Sequence, residues 1–153
     1  RIAVVGFSAG GHLVANLAAQ HTRAVDPPRD AADLLSARPD LVAPIYPAVM
    51  IDQLSKALPP GQSLFGQTID AETAARHSPH LQAREDSPPH FLVHAEDDPL
   101  VGPEHSLALR AALRAKGVIA PKKRGQPRQP SPLEDVIAYT EQSPTIGKAP
   151  DRL

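Results

Sequence analysis

The residue pattern predicts an α/β fold with a mainly parallel sheet flanked by helices, and three observations carry that expectation. Apolar runs at Ile2–Val5, Leu41–Tyr46 and His90–Ala95 alternate with segments of helical character. The first run is apolar without alternation, as in a parallel strand buried on both faces. A serine stands between glycines at the first strand-to-helix corner, in Gly6-Phe7-Ser8-Ala9-Gly10-Gly11.

The elements follow in order. Residues 2–5 read as a strand and residues 11–22 as a helix, with Leu13 and Leu17 four apart and Val14 and Ala18 beside them forming the apolar face. Residues 27–39 are polar, with a short helical piece near Ala31 to Ser36. The second strand, Leu41 to Tyr46, contains Pro44 and ends before Pro47, which predicts an edge position or a strand terminus. Residues 48–88 hold no strong strand and read as an insert expected to lie over the site. Met50–Leu58 and Ile69–His77 are possible short helices, and Pro59-Pro60-Gly61 is a break. After the third strand comes the acidic loop Glu96-Asp97-Asp98-Pro99-Leu100-Val101. Pro103 opens a helix with Leu107, Leu109, Ala111 and Leu113 as its stripe, and Gly117 stops it.

Beyond Gly117 the pattern changes. A strand could begin at Val118, but the basic, proline-rich run 121–130 follows, so residues 119–153 read as an irregular or disordered proline-rich tail. Residues 133–139 could make a helical turn or two. The domain reading is therefore 1–118 as the folded part, with the insert 48–88, and 119–153 as tail.

Composition narrows the function classes. The chain has 153 residues, enough for one domain, and a formal net charge of -1, which gives no electrostatic case for nucleic acid or an anionic membrane. The run Lys122 to Arg128 has no interleaved aromatics and reads as tail rather than as a nucleic-acid patch. No apolar run would span a bilayer, and the absence of cysteine removes disulfide and thiolate chemistry. Aromatic residues make up only 3% of the chain, so the core must be built from Leu, Val, Ile and Ala. Arg1 stands directly before a strand, so residues are expected to be missing upstream, and the compartment, cytoplasmic or secreted, stays open, as does the oligomeric state.

The corner serine is the strongest functional signal. A serine on a tight turn between a strand and a helix is lifted clear of the sheet, and the N–H of the next residue, Ala9, stands at a helix N-terminus, where it can hold an oxyanion. Glycines at the flanking positions avoid collision with strand and helix. A hydroxyl is a weak nucleophile at neutral pH and needs a base, normally histidine, oriented by a carboxylate. Ligand-facing groups in such sheets sit at the carboxyl ends of strands, and both Ser8 and the pair Asp97 and Asp98 obey that rule. The acidic loop has a plainer reading as a cap for the helix at Pro103.

Gly6-Phe7-Ser8-Ala9-Gly10-Gly11-His12-Leu13 resembles the nucleophile elbow of α/β-hydrolase carboxylesterases, most closely the bacterial acetylesterase and feruloyl-esterase-like group. His90-Phe91-Leu92-Val93-His94-Ala95-Glu96-Asp97-Asp98-Pro99-Leu100-Val101 is similar to that group's strand and acid loop. The resemblance covers residues 1–118 and implies a partial α/β-hydrolase fold. It assigns Ser8 as nucleophile, Ala9 as oxyanion donor and Asp98 as triad acid, with Asp97 as fallback, acting on a small-molecule ester. Three family parts are absent from the pattern: the strands and His-Gly-rich oxyanion loop before the elbow, the final strand, and the catalytic histidine, which the family carries after that strand. The last histidine here is His105. The loss of pattern after Gly117 is what a truncated, misjoined or frame-shifted reading would produce, and it implies impaired activity.

The remaining histidines read as structural: His12 as a packed or hydrogen-bonded helix residue, His94 as a satisfied buried one, His105 as solvent-facing, and His77, His80 and His90 as loop or strand-edge residues. No pair has metal spacing beside a carboxylate, so no metal or other cofactor is expected. Two other functions compete. A prolyl-oligopeptidase-like peptidase shares the elbow logic, but Phe7 and Gly11-His12 favour the esterase. A non-catalytic fragment or pseudoenzyme would explain the missing histidine.

Overall fold

The computed structural model describes residues 1–24, 26–57, 69–118 and 137–140, with side chains outside 55–57 and 137–140. Four strands, β1 (Ala3–Phe7), β2 (Leu41–Ile45), β3 (Leu92–Ala95) and β4 (Ile137–Thr140), form one sheet in the order β1-β2-β3-β4. All three pairings are parallel. The principal helices are α1 (Ala9–Gln20), α2 (Ile51–Ala57), α3 (Ala71–Arg76) and α4 (Glu104–Ala115), with 3-10 turns at Ala32–Leu34 and Pro79–Leu81.

This strand order has a direct consequence. Crossovers between parallel strands are right-handed. When each new strand adds to the same side, every crossover helix falls on the same face of the sheet. The core shows it: Ala15 of α1, Val49 and Met50 before α2, Leu92 of β3, and Leu109 and Leu113 of α4 form one buried cluster. Val14 and Ala18 of α1 pack with Val42 in a second. Gly6, Val42, Pro44, Leu92 and His94 point to that face and are buried.

The opposite face is open among the described residues. Val5 is 56% and Phe7 58% exposed, and Ile45 and Val93 are half-buried. Among the described residues the first strand is therefore covered on one face, where its uninterrupted apolar run predicted burial on both. Its composition suits two covers, and the crossover hand supplies one.

Pro44 is the second departure. Strand β2 lies between β1 and β3, not at an edge. The ladder absorbs the proline by losing a rung. Val42 bridges His90, Ile45 pairs with Val93, and between them Pro44 has no N–H to donate to β3. Bonds on either side, Val42 N–H to the Pro89 carbonyl and Tyr46 N–H to the Val93 carbonyl, hold the strands in register.

Helix α1 buries Gly11, His12, Val14, Ala15, Ala18 and Ala19, while Leu13 and Leu17 face outward. Small side chains let the helix lie close to the sheet, so the buried stripe runs beside the leucines rather than through them. Helix α4 is rotated in the same sense. Its buried residues are His105, Ser106, Leu109 and Leu113, and Leu107 is 42% exposed. His105, expected in solvent, is buried, and its Nδ1 accepts the Met50 N–H at 3.0 Å. Burial holds its pKa below the ordinary histidine value. Gly117, at φ +72°, ends α4 with the Gly117 N–H on the Arg114 carbonyl and the Val118 N–H on the Leu113 carbonyl.

The described part of the insert, α2, α3 and the 3-10 turn at Pro79–Leu81, packs on the helix-covered face. Three polar side chains of α1 hold it there. His12 Nε2 donates to the His77 carbonyl at 2.8 Å, Asn16 Nδ2 meets His77 Nδ1 at 3.4 Å, and Gln20 Nε2 donates to the Arg76 carbonyl at 2.7 Å. They recur every fourth residue, hence on one helix face. The break at Pro59-Pro60-Gly61 and the basic run 122–128 lie outside the described residues. Within the tail, residues 137–140 are strand β4 rather than the helical turn expected over 133–139. Pairing with β3, with Leu92 opposite Ile137 and Ala95 opposite Thr140, outweighs a weak local helical pattern.

His90, at the β2 bridge, donates Nδ1–H to the Pro88 carbonyl at 2.7 Å. Burial pulls its pKa down from 6.5 to about 4 despite that bond. The folded value lies below the unfolded one, so the unfolded chain binds the proton first. Stability is full above about pH 6.5 and falls as pH drops toward 4. Thermal unfolding between pH 7 and 4 should show this loss, on the order of 3 kcal/mol from this residue. His90→Gln should flatten the profile, and parallel profiles for the two proteins would refute the assignment.

Candidate active site

Strand β1 runs into α1 through a single residue, Ser8. Its backbone sits at φ 52°, ψ -116°, a region that L-residues occupy only when the surroundings force it. Two backbone bonds hold it there: Ser8 N–H to the Ile45 carbonyl, which continues the β1–β2 ladder by one residue, and His12 N–H to the Ser8 carbonyl, both at 3.0 Å. The approach of strand and helix is close enough that a Cβ on Gly6 would overlap the Gly10 carbonyl and Val14 Cγ2. A Cβ on Gly11 would come within 3.1 Å of the Ile45 carbonyl oxygen and of Pro47 Cβ. Gly10 has open space around it. The steric reason for glycine therefore holds at two of the three elbow positions.

Ser8 is exposed, and its hydroxyl makes no capping bond to α1. Ala9 is the first residue of α1, so its N–H is one of the four amides that the helix leaves unpaired. Tyr46, immediately after β2, also has a positive φ, of 37°. Its ring centroid lies 6.1 Å from that of Phe7. A second bulky residue in this region, one strand from Ser8, was not foreseen. Sequence reading placed Tyr46 inside a regular strand, and nothing in Ile45-Tyr46-Pro47 announces the turn except the proline.

The acidic loop leaves β3 at the same carboxyl edge. Asp98 is half-buried, whereas Glu96 and Asp97 are exposed. Asp98 Oδ1 accepts the N–H groups of Leu100 at 2.9 Å and Val101 at 3.0 Å. It braces its own turn and does not cap α4, whose N-cap is Pro103 with no side-chain bond. Asp98 is thus a carboxylate held in place by two backbone amides. Ser8 and Asp98 follow strands two apart in the sheet, about 10 Å at the usual strand spacing. They share an edge without touching.

No imidazole among the described residues bonds the Ser8 hydroxyl. His12 is one turn away but is buried and committed to the His77 carbonyl, and burial lowers its pKa. No group of three or more His, Asp or Glu among the described residues could hold a metal ion, and no helix among them is long and apolar enough to cross a membrane. A polar groove of about 650 Å³ lies at the far end of α1, between Gln20, Arg23, Arg76 and Arg84, remote from Ser8.

A sequence model of the BD-FAE family matches residues 1–113, which contain β1, β2, β3 and most of α4. The chain belongs to the BD-FAE family. Its fold is that of the α/β-hydrolases. Solved structures similar to it include an acetyl ester-xyloside bifunctional hydrolase from Caldicellulosiruptor lactoaceticus, at 33% identity and a TM-score of 0.66, covering 77% of this chain and 43% of that one. A lipase/esterase from Lactobacillus plantarum is 26% identical with a TM-score of 0.58, covering 77% and 44% respectively. Endo-1,4-beta-xylanase B of Butyrivibrio fibrisolvens is 30% identical over 118 residues, 77% of this chain and 18% of that protein. The chain thus spans under half the length of these solved relatives and under a fifth of the xylanase.

The elbow geometry makes a stability prediction. Ser8→Gly should raise stability by about 1–2 kcal/mol by releasing the positive-φ strain, while Ser8→Ala should not. Gly6→Ala should cost about 3 kcal/mol or more, and Gly10→Ala should lie within about 1 kcal/mol of the parent. Chemical denaturation of the four variants checks this. Equal effects at Gly6 and Gly10 would contradict the described approach.

Proposed function

We propose that this chain carries the nucleophile and the acid of a serine esterase that cleaves small carboxylic esters, such as acetyl or aryl esters on sugars. The observation that carries the reading is Ser8 itself: an exposed hydroxyl that makes no capping bond to α1, in a backbone conformation that costs free energy, at the corner of β1 and α1. Strain of that kind persists where it presents a group for chemistry. Membership of the BD-FAE family and the ester hydrolases among the relatives support the reaction class. The acetyl ester-xyloside hydrolase and the xylanase support a carbohydrate ester.

In this mechanism Ser8 Oγ attacks the ester carbonyl carbon, and the carbonyl oxygen takes the negative charge. The Ala9 N–H donates to that oxyanion. Collapse expels the alcohol and leaves an acyl group on Ser8, which water then removes. Both steps need a base. In such a mechanism an imidazole between Ser8 and Asp98 takes the serine proton on one nitrogen and donates to the carboxylate from the other. No described histidine occupies that place, so the chain by itself is expected to turn over slowly. General-base catalysis typically contributes 10²–10⁴-fold.

Imidazole supplied in the buffer tests this. Hydrolysis of nitrophenyl acetate by the chain should rise with imidazole above the rate given by Ser8→Ala, and Asp98→Asn should lose most of that excess. Identical rates for the chain and Ser8→Ala at every imidazole concentration would end the esterase reading and leave the non-catalytic one. A larger Ser8-dependent rate on a dipeptide amide than on the ester would favour the peptidase.

A further inference from the structure

The acid turn connects to a buried histidine that this chemistry does not use. His94 is the third residue of β3, points to the helix-covered face and has no exposed surface. Both ring nitrogens are engaged, Nδ1 with Ser106 Oγ of α4 and Nε2 with the Val101 carbonyl, each at 2.7 Å. A carbonyl only accepts, so the proton lies on Nε2. In the neutral ring Nδ1 then accepts from the Ser106 hydroxyl, which is itself fully buried. Val101 is thus held at both ends: its N–H donates to Asp98 Oδ1, and its carbonyl accepts from His94. Asp98 Oδ2 lies 3.8 Å from Nε2. Ser106, His94 and Asp98 have the residue types of a catalytic triad, but substrate cannot reach a serine sealed under α4.

We propose that His94 is a positioning residue for the Asp98 carboxylate, anchoring the exposed acid turn to α4 through Val101 and Ser106. The loop needs such an anchor. Glu96, Asp97, Pro99 and Leu100 are exposed and contribute no apolar packing that would fix its shape. Removing the ring would leave the half-buried Val101 carbonyl and the buried Ser106 hydroxyl without this partner. The proposal takes from the esterase reading only the consequence that a displaced Asp98 lowers turnover.

The test compares the whole chain with His94→Gln, whose Nε2 can reach the same carbonyl, and His94→Leu, which cannot donate. In the parent, imidazole nitrogen spectra should show the Nε2–H tautomer. Amide exchange at Leu100 and Val101, measured relative to the core amide of Val42, should speed up at least about tenfold in His94→Leu. In His94→Gln it should return to within about twofold of the parent. Imidazole-assisted, Ser8-dependent turnover should follow the same order. An Nδ1–H tautomer, or equal exchange in the two variants, overturns the proposal. If His94→Leu does not fold, Ser106→Ala decides. It removes only the partner of Nδ1 and should shift that nitrogen's signal and loosen Val101, and unchanged exchange would sink the idea. Absence of Ser8-dependent turnover in the parent would refute the esterase reading alone, since ring spectra and amide exchange still judge the positioning.

Discussion

The close approach of α1 to the sheet at Gly6 is the constraint on which the site depends. With hydrogen in place of a side chain, β1 can pass the Gly10 carbonyl and Val14 without overlap. The chain then has one residue in which to turn from strand to helix, and that residue takes the strain. Ser8 is held by bonds on both sides, to Ile45 across the sheet and to His12 along the helix. The same geometry raises the hydroxyl and leaves the first amides of α1 unpaired beside it. The exposed hydroxyl and the unpaired amides are two results of a single packing decision.

The hand of the crossovers organises the rest. Adding every strand to one side sends the helices to one face and the strand ends to one edge. The edge collects Ser8, Tyr46 and the Asp98 turn. The face collects the core, including the polar ladder His12, Asn16 and Gln20 that ties the insert to α1. The other face keeps Val5 and Phe7 exposed among the described residues. A right-handed winding in the opposite direction would place helices on that side.

The histidines bear on this division. His12, His94 and His105 are buried and each has a bonding partner on the helix face, while the carboxyl edge around Ser8 has none among the described residues. Burial lowers the pKa of His12 and His105, which suits neutral rings that join one segment to another. His94 shows how a buried ring can matter to the edge without reaching it, through the acid turn.

Local signals in the sequence determined the α/β class, the positions of the first three strands, α1 and α4, the corner serine and the acidic turn. Each rests on neighbours within a few residues: apolar runs, glycines around Ser8, Pro103 before α4 and Gly117 after it. Tertiary structure decided what depends on partners far along the chain. It put Pro44 in an interior strand, because a neighbouring ladder can lose one rung and keep its register. It turned Leu13 and Leu17 outward, because small residues beside them allow closer packing, and Leu107 outward, because His105, Ser106, Leu109 and Leu113 take the buried face of α4. It buried His105 and drew residues 137–140 into a strand, because β3 offered an unpaired edge. Periodicity shows that a face exists; only the arrangement of the other elements determines which face is covered.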